Sequence, residues 1–275
     1  MRNSDNRLRG RPRSTESDQQ RVKALDRGLE ILKALAATEG MALTSLALDL
    51  DMSAPTLHRM LTTLAHHGFV SQSGENGHWH IGIEAFRIGS AFSRTARVLD
   101  VARPYMRDLM QRTGETANLG LIDLGEVVFV AQVETHQAIR AFFRTGSRGP
   151  IHASGIGKCI LAYTDLREQR RQISEIKLSR FTQKTLTQKT AFTDELRRIK
   201  AQAYALDDEE RHEGMRCVAA PIFNAYSEVI AAVSVSGPIA RLQNESLDSA
   251  IAQTREIAQE ISLELGWRIS DTQLD

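Results

Sequence analysis

Up to about residue 112 the apolar residues recur at helical spacing, and beyond "RTGET", Arg112 to Thr116, they form strand-like runs. This change of period constrains the fold most, because a helix and a strand bury different faces and cannot share one pattern. With 275 residues the chain can hold two domains, each with its own core. The expected class is α+β.

In the front part, Val22, Leu25, Leu29, Leu32, Leu35 and Ala36 predict an amphipathic helix that Gly40 stops. Leu43 to Leu50 predicts a short second helix with Leu43, Leu46, Ala47 and Leu50 on one face, and "DMS" a tight turn. A third helix starts at the N-cap Ser53, tolerates Pro55 in its first turn and ends at Gly68, with Leu57, Met60, Leu61 and Leu64 facing inward. "FVSQ" and "HWHI" then flank "SGENG", a hairpin. Three helices and a hairpin make a winged helix-turn-helix.

Ile83 to about Arg97, with Phe86, Phe92 and Ala96, reads as a connecting helix, and Asp100 to Arg112 as another, with Pro104 in its early turns. In the rear part "ANLGLIDLGEVVFVAQV", turning at Gly-Glu, and "AIRAFFRTG" read as strands. "SGIGKCILAY" reads as a helix, "RCVAAPIF" and "VIAAVSVSG" as a hairpin around "NAYSE", and Glu245 to Trp267 as a last helix. The expected division is a flexible basic arm over 1–20, a DNA-binding domain over 21–82, linker helices over 83–113, an α+β domain over 114–268 and a tail over 269–275.

Net charge is only +1, so the distribution of charge is more informative than its sum. Residues 1–14 hold five arginines against Asp5, and no carboxylate occurs from Met52 to Gly74. The outward face of the third helix carries Ala54, Thr56, His58, Arg59, Thr62 and Thr63. A helix in the major groove needs donors that do not repel the phosphates. Arg59 can grip guanine or phosphate, Thr56 and Thr63 can donate to phosphates, His58 can add a contact, and the amides from Ser53 and Ala54 onward form an anion site. "RGRPR", with Arg9, Arg11 and Arg13, resembles an AT-hook core suited to a narrow minor groove. The competing reading is a plain three-helix packing unit with a solvated tail. His66 and His67 sit near the helix end, where they favour its dipole. A metal site of His66 with His78 or His80 lacks a Cys or Glu to complete it, so no metal is expected.

Cys159 and Cys217 stand far apart without a CxxC pair, no apolar run approaches a membrane span, and the first residues lack the apolar core of a secretory signal. A soluble, cytoplasmic protein is expected.

"TLHRMLTTLAHHGFV", "IHASGIGKCILAY", "YALDDEERHEGMRCVAAPIF" and "VSVSGP" occur in that order. Together they resemble the IclR family of bacterial transcription regulators, over about Arg21 to Trp267. The resemblance implies a winged helix-turn-helix joined by a linker helix to a profilin- or GAF-like α+β effector-binding domain. It further implies a double-stranded DNA operator and a homodimer or homotetramer.

From the residues, Ser154 caps a helix beginning Gly155, Ile156, Gly157, whose bare amides favour a carboxylate. Ser234 and Ser236 share a strand face and can both donate to one ligand. The resemblance adds Asp207 and Cys217 and so implies an effector site of Gly155, Ile156, Asp207, Cys217, Ser234 and Ser236, near Ala141, Gly149 and Met215. Asp207 could accept from a ligand hydroxyl, Cys217 could be no more than a small buried hydrophobe, and Asp208 to Glu210 read equally as a solvated turn. The match to members that sense glyoxylate or pyruvate implies a small 2-oxo acid, with an aromatic or other carboxylic acid as the alternative. P-loop and dinucleotide fingerprints both fail around Gly157, so no cofactor is expected. A hydrolase with Cys217 as nucleophile and His212 as base is the rival class, but it lacks the usual surrounding constellation; an enzyme is not expected. A protein-binding scaffold, with neither operator nor small ligand, is a third.

Overall fold

The structure, a computed structural model, describes residues 22–74, 77–95 and 97–268, and side chains other than those of 90–96. It divides into two compact units, residues 1–94 and 95–275. The arm with Arg9, Arg11 and Arg13, the tail 269–275 and the Phe92 side chain lie outside the described part.

In the first unit three helices, α1 (Lys23–Ala36), α2 (Leu43–Asp49) and α3 (Ala54–His66), precede a hairpin of β1 (Val70–Gln72) and β2 (Trp79–Ile81), and α4 (Ile83–Thr95) follows. Ile31, Leu35, Leu46, Leu57, Leu61, Val70 and Trp79 form the core, Trp79 keeping 5% of its surface exposed. The turn between α2 and α3 uses Asp51 at φ +48°, after which the Met52 N–H donates to the Ala47 carbonyl at 2.9 Å. At the base of the hairpin only a glycine fits at 82, since a Cβ there would sit 2.2 Å from the Gly68 carbonyl oxygen. Met41 bridges Trp79, tying the wing to the segment before α2. The core face of α1 departs from the expected stripe: Ile31 and Leu35 are buried, while Val22, Leu25 and Leu29 are exposed.

The second unit is an antiparallel sheet in the order β5-β4-β3-β8-β7-β6, formed by β3 (Thr116–Asp123), β4 (Glu126–Val133), β5 (Arg148–Pro150), β6 (Ala205–Asp208), β7 (Met215–Phe223) and β8 (Val229–Pro238). One face is covered by α5 (Arg97–Thr113) and, at the chain end, α9 (Glu245–Glu264), through Leu99, Met106, Leu109, Ile257 and Ile261. The other carries α6 (Gly155–Tyr163) and α8 (Lys189–Gln202), through Ile156, Leu161, Phe192 and Leu196. Between them in sequence stands α7 (Leu166–Glu175), which buries none of its residues fully. Trp267 closes the unit by stacking on Phe223 with ring centroids 5.3 Å apart.

Several expectations change. The stretch 83–113 contains α4 and α5, and α5 buries Val98, Leu99, Ala102, Met106 and Leu109 in the core of the second unit. Pro104 stands mid-helix in α5, not in its early turns. The β3–β4 hairpin turns at Leu124 and Gly125, not at Gly-Glu. "AIRAFFRTG" is irregular, and the strand comes after it at Arg148. β6, α7 and α8 were not anticipated.

Candidate functional site

On α3 the sequence puts short polar groups outward. Ser53, Ala54, His58, Arg59 and Thr63 are exposed and Thr56 is half-buried. Ser53 holds the N-cap position but does not cap with its side chain: its hydroxyl donates to Thr56 Oγ1 at 2.9 Å. No side chain therefore covers the first α3 amides, which suits an anion. Of the two expected phosphate donors, Thr56 keeps its proton free and Thr63 uses its own within the helix. Thr63 Oγ1 donates to the Arg59 carbonyl at 3.0 Å and Thr62 Oγ1 to that of His58 at 2.8 Å. Each hydroxyl has one proton, so Thr63 must rotate before it can donate outward. The sequence reading missed Lys23 and Arg27, which stand one turn apart on α1 and line one groove with Thr56, Arg59, Thr62 and Thr63. His66 and His67 contact each other edge-on, and His80 packs against Gly40. Among the described residues no group of three or more His, Cys, Asp and Glu could hold a metal ion.

The second polar site is a cavity of about 280 Å³ in the second unit. Its floor is the start of α6, where Ser154 Oγ accepts from the Gly157 N–H at 3.4 Å. The amides of Gly155 and Ile156, ahead of that cap, have no partner among the described residues. Gly157 permits this placement: a Cβ there would lie 2.6 Å from both Cα and O of Ile151. Asp207, Cys217 and Ser236 stand on the wall with Ala141, Gly149 and Met215. Ser236 accepts from Asn118 Nδ2 at 3.2 Å. Ser234 shares its strand face but is fully buried, is not in the wall, and its hydroxyl finds no partner in hydrogen-bond geometry.

Asp207 keeps some surface open to the cavity, yet burial raises its carboxyl above the usual range against the pull of Lys158 and of the Glu210 and Arg211 amides. Burial, with Asp207 adding to it, pushes the Cys217 thiol up to about 11 against its neighbouring serine hydroxyls. A thiol held protonated is the opposite of an activated nucleophile. His212 lines the same cavity, and no hydrogen bond joins it to Cys217 among the described residues. The solvated-turn reading of Asp208 to Glu210 gives way to a built segment. Burial raises the Asp208 carboxyl, but hydrogen bonds from Arg216 and Lys184 outweigh it and leave the carboxyl below its ordinary value. Glu209 accepts from the Gly214 N–H at 2.8 Å, and Glu210 is 7% exposed and paired to the fully buried Lys158.

Wall residues missed from sequence include Arg140, Arg148, Arg211 and Arg216, and the rings of Phe129, Phe142 and Phe143. Arg148 and Arg216 bond to Asp123 and Asp208, whereas the Arg211 guanidinium lies over the Phe181 ring at 4.0 Å. Phe129 and Phe143 stack at 4.4 Å. The signal lies in the arginines and phenylalanines of "AIRAFFRTG", the stretch expected to be a strand. The arrangement can hold a carboxylate on bare amides, in a wall whose arginines are paired with Glu134, Asp123 and Asp208 or stacked on Phe181, and leave an apolar side for the rest of a ligand.

Family models for the IclR helix-turn-helix domain and for the C-terminal part of bacterial IclR transcriptional regulators match residues 24–74 and 91–263. The HTH-type transcriptional regulator BhcR of Paracoccus denitrificans is 45% identical over 267 residues, 95% of this chain and 96% of its own. The transcriptional repressor IclR of Escherichia coli is 36% identical over 248 residues, 89% of this chain and 90% of its own. The crystal structure of the Thermotoga maritima IclR superposes with a TM-score of 0.76 at 29% identity, covering 89% of this chain and 99% of that one. The winged helix-turn-helix, the six-stranded sheet and these matches, which span both units, make the chain a member of the IclR family of bacterial transcriptional regulators.

Proposed function

We propose that the chain is an effector-responsive, operator-binding regulator whose signal is a small 2-oxo acid such as glyoxylate or pyruvate. The carrying observation is the pair of partnerless amides at Gly155 and Ile156, facing a cavity with Ser236 and Asp207 on its wall. The carboxylate sits on the amides and its other oxygens near Ser236 and Asp207. Arg59, His58, Thr56 and the start of α3 read the operator, with Lys23 and Arg27 on phosphates and Arg9, Arg11 and Arg13 in the minor groove. Two recognition helices must meet half-sites about a helical turn or a multiple apart, so the working form is a homodimer or homotetramer in the cytoplasm. Apolar residues exposed on α4, Ile83 at 77% and Phe86 at 71%, and those exposed on α1 favour that assembly.

A second reading keeps the site and enlarges the ligand. Some 280 Å³ exceeds the needs of a two-carbon acid, and the Phe129–Phe143 stack favours an aromatic acid. Calorimetry with glyoxylate, pyruvate and benzoate, followed by operator gel shifts with each, decides. Heat and a changed shift with the 2-oxo acids support the first reading; response to benzoate alone selects the second. Heat from none rejects the carboxylate class. A ligand bound equally in both DNA-affinity states would shift nothing, so heat without a changed shift would reject the switch.

A further inference from the structure

Beside the cavity lies a buried charge cluster with more carboxylates than cations. The Lys158 ammonium, on α6, donates to the Leu206 carbonyl at 2.6 Å and to Glu210 Oε1 at 2.5 Å. Glu195 Oε1, on α8, stands 3.6 Å away. Asp207 Oδ1 accepts from the Glu210 N–H at 2.8 Å, which joins the cavity wall to this cluster. Two carboxylates thus pair with one ammonium, and a third, Asp207, stands within its field. Glu195 also bonds Arg198 at 2.8 Å, a side chain more than half exposed. Facing Asp207 are His212 and the amides of Glu210 and Arg211 from the following loop, Lys158 from α6 and the Cys217 thiol from β7. The second oxygen of Glu210, Oε2, is buried without a partner.

A carboxylate that lacks a cation of its own in such surroundings keeps a proton rather than a charge. Burial, with Asp207 and Glu195 adding to it, pushes Glu210 up to about 7 against the attraction of Lys158. Asp207 moves in the same direction. The two carboxyl groups are coupled, since each feels the field of Lys158 and Asp207 accepts from the Glu210 backbone amide.

We propose that effector binding is proton-linked: an anionic ligand on the Gly155 and Ile156 amides binds together with a proton that is taken from solvent and held on the coupled carboxyl groups of Asp207 and Glu210. The linkage rests on the effector reading of the cavity. The only bond formed is O–H on a carboxylate, and the proton's source is the buffer acid. Protonated Asp207 no longer repels the ligand and can donate to one of its oxygens. By reciprocity the ligand raises the proton affinity of the pair, and acid raises the affinity for ligand. The response therefore weakens as pH rises through about 7, by up to about tenfold in affinity per pH unit.

Calorimetry of glyoxylate binding to the full chain, in buffers of different ionisation heat near about pH 7.5, reads the proton directly. The expected result is uptake of about half to one proton per ligand. Glu210→Gln keeps an oxygen toward Lys158 but removes a carboxylate, so uptake falls toward zero and the pH dependence flattens. His212→Gln retains the uptake; its loss there would assign the proton to the imidazole and overturn the proposal. Glyoxylate binding without uptake overturns it too. In the ligand-free chain, carboxyl carbon-13 NMR should find a resonance titrating above about pH 6 that is missing from Glu210→Gln or Asp207→Asn. Its absence overturns the proposal whatever binds. Its presence with no heat from glyoxylate, pyruvate or benzoate overturns the effector reading instead, and the linkage with it.

Discussion

The proposed DNA face takes Arg59, His58 and Thr63 from the exposed side of one helix and adds Lys23 and Arg27 from another, whereas the cavity draws its wall from α6, β6, β7, β8 and the irregular stretch before β5. Side chains on α3 can turn toward whatever approaches, and the Thr63 hydroxyl has to. In the cavity the polar groups are set in place by burial and by partners behind them, as Asn118 holds Ser236 and the Glu210 amide holds Asp207. On the proposed reading the DNA face settles its contacts when the partner arrives, whereas the polar groups of the cavity are set beforehand. Electrostatics follow the same division, since a shared buried cation changes the ionisation of its neighbours while exposed charges mostly change the approach of the partner.

The contrast is broken most sharply at Lys158. Lys158→Ala leaves Glu210 and Asp207 without their common cation, and the second unit should lose about 3–5 kcal/mol, less whatever proton capture restores. Urea unfolding reads it; a loss under about 1 kcal/mol would mean that the cluster does not secure α6. The pH course tests the same group without a lysine mutation. Because burial raises Glu210 in the folded chain from 4.5 to about 7, the folded state binds more protons than the unfolded one between those values. The associated stability is fully present below the lower value and lost as pH rises through the upper. The Tm of the second unit should fall by a few degrees across that window, and Glu210→Gln should flatten the fall. A Tm that rises there contradicts the assignment.

On the exposed side, Arg59→Ala should cost about 1–3 kcal/mol of operator binding and leave calorimetric ligand binding as it was. Unchanged gel shifts from the folded variant would remove Arg59 from the interface. Replacing Lys23 and Arg27 together by Gln should reduce the slope of log affinity against log salt by up to about 1.8 while sequence preference persists. The smallest effect belongs to Ser234→Ala, which removes a buried hydroxyl whose one polar neighbour of note is the Cys217 thiol. Stability should change by less than about 1 kcal/mol, in either direction. A larger loss would mean that the hydroxyl is engaged after all.

The helix-turn-helix was legible because each helix announces itself by local spacing, and Ser53, Pro55 and Gly68 bound α3. The start of α6 was legible for the same reason, through Ser154 and the glycines after it. Lys158 was not. It follows Gly157 on an otherwise apolar helix, and only a partner at Glu210, 52 positions on, makes it a buried group. Arg140 to Phe143 lie in an apolar-rich run that reads as a strand, but the hydrogen-bonded strand starts at Arg148 and these residues join the cavity wall. On α1, Ile31 displaced the expected stripe because a second apolar set, Val22, Leu25 and Leu29, has the same helical spacing and stays exposed. Sequence periodicity identifies apolar faces but does not rank two that compete.

The sequence holds two tryptophans, and one falls in each unit. Trp79 is packed under the wing, and Trp267 lies against Phe223 at the far end of the chain. Each indole emits according to its own surroundings, so a Trp79→Phe protein is a fluorescent reporter of the second unit alone and Trp267→Phe of the first. Trp79 Nε1 has no acceptor among the described residues, so Phe there sacrifices volume without losing a hydrogen bond. Coincident melting of the two single-tryptophan proteins would mean that the units unfold as one cooperative body; separate midpoints would give each its own two-state transition. Ligand added to either then shows by emission alone whether stabilisation stays in the unit that binds it or reaches the unit that reads DNA.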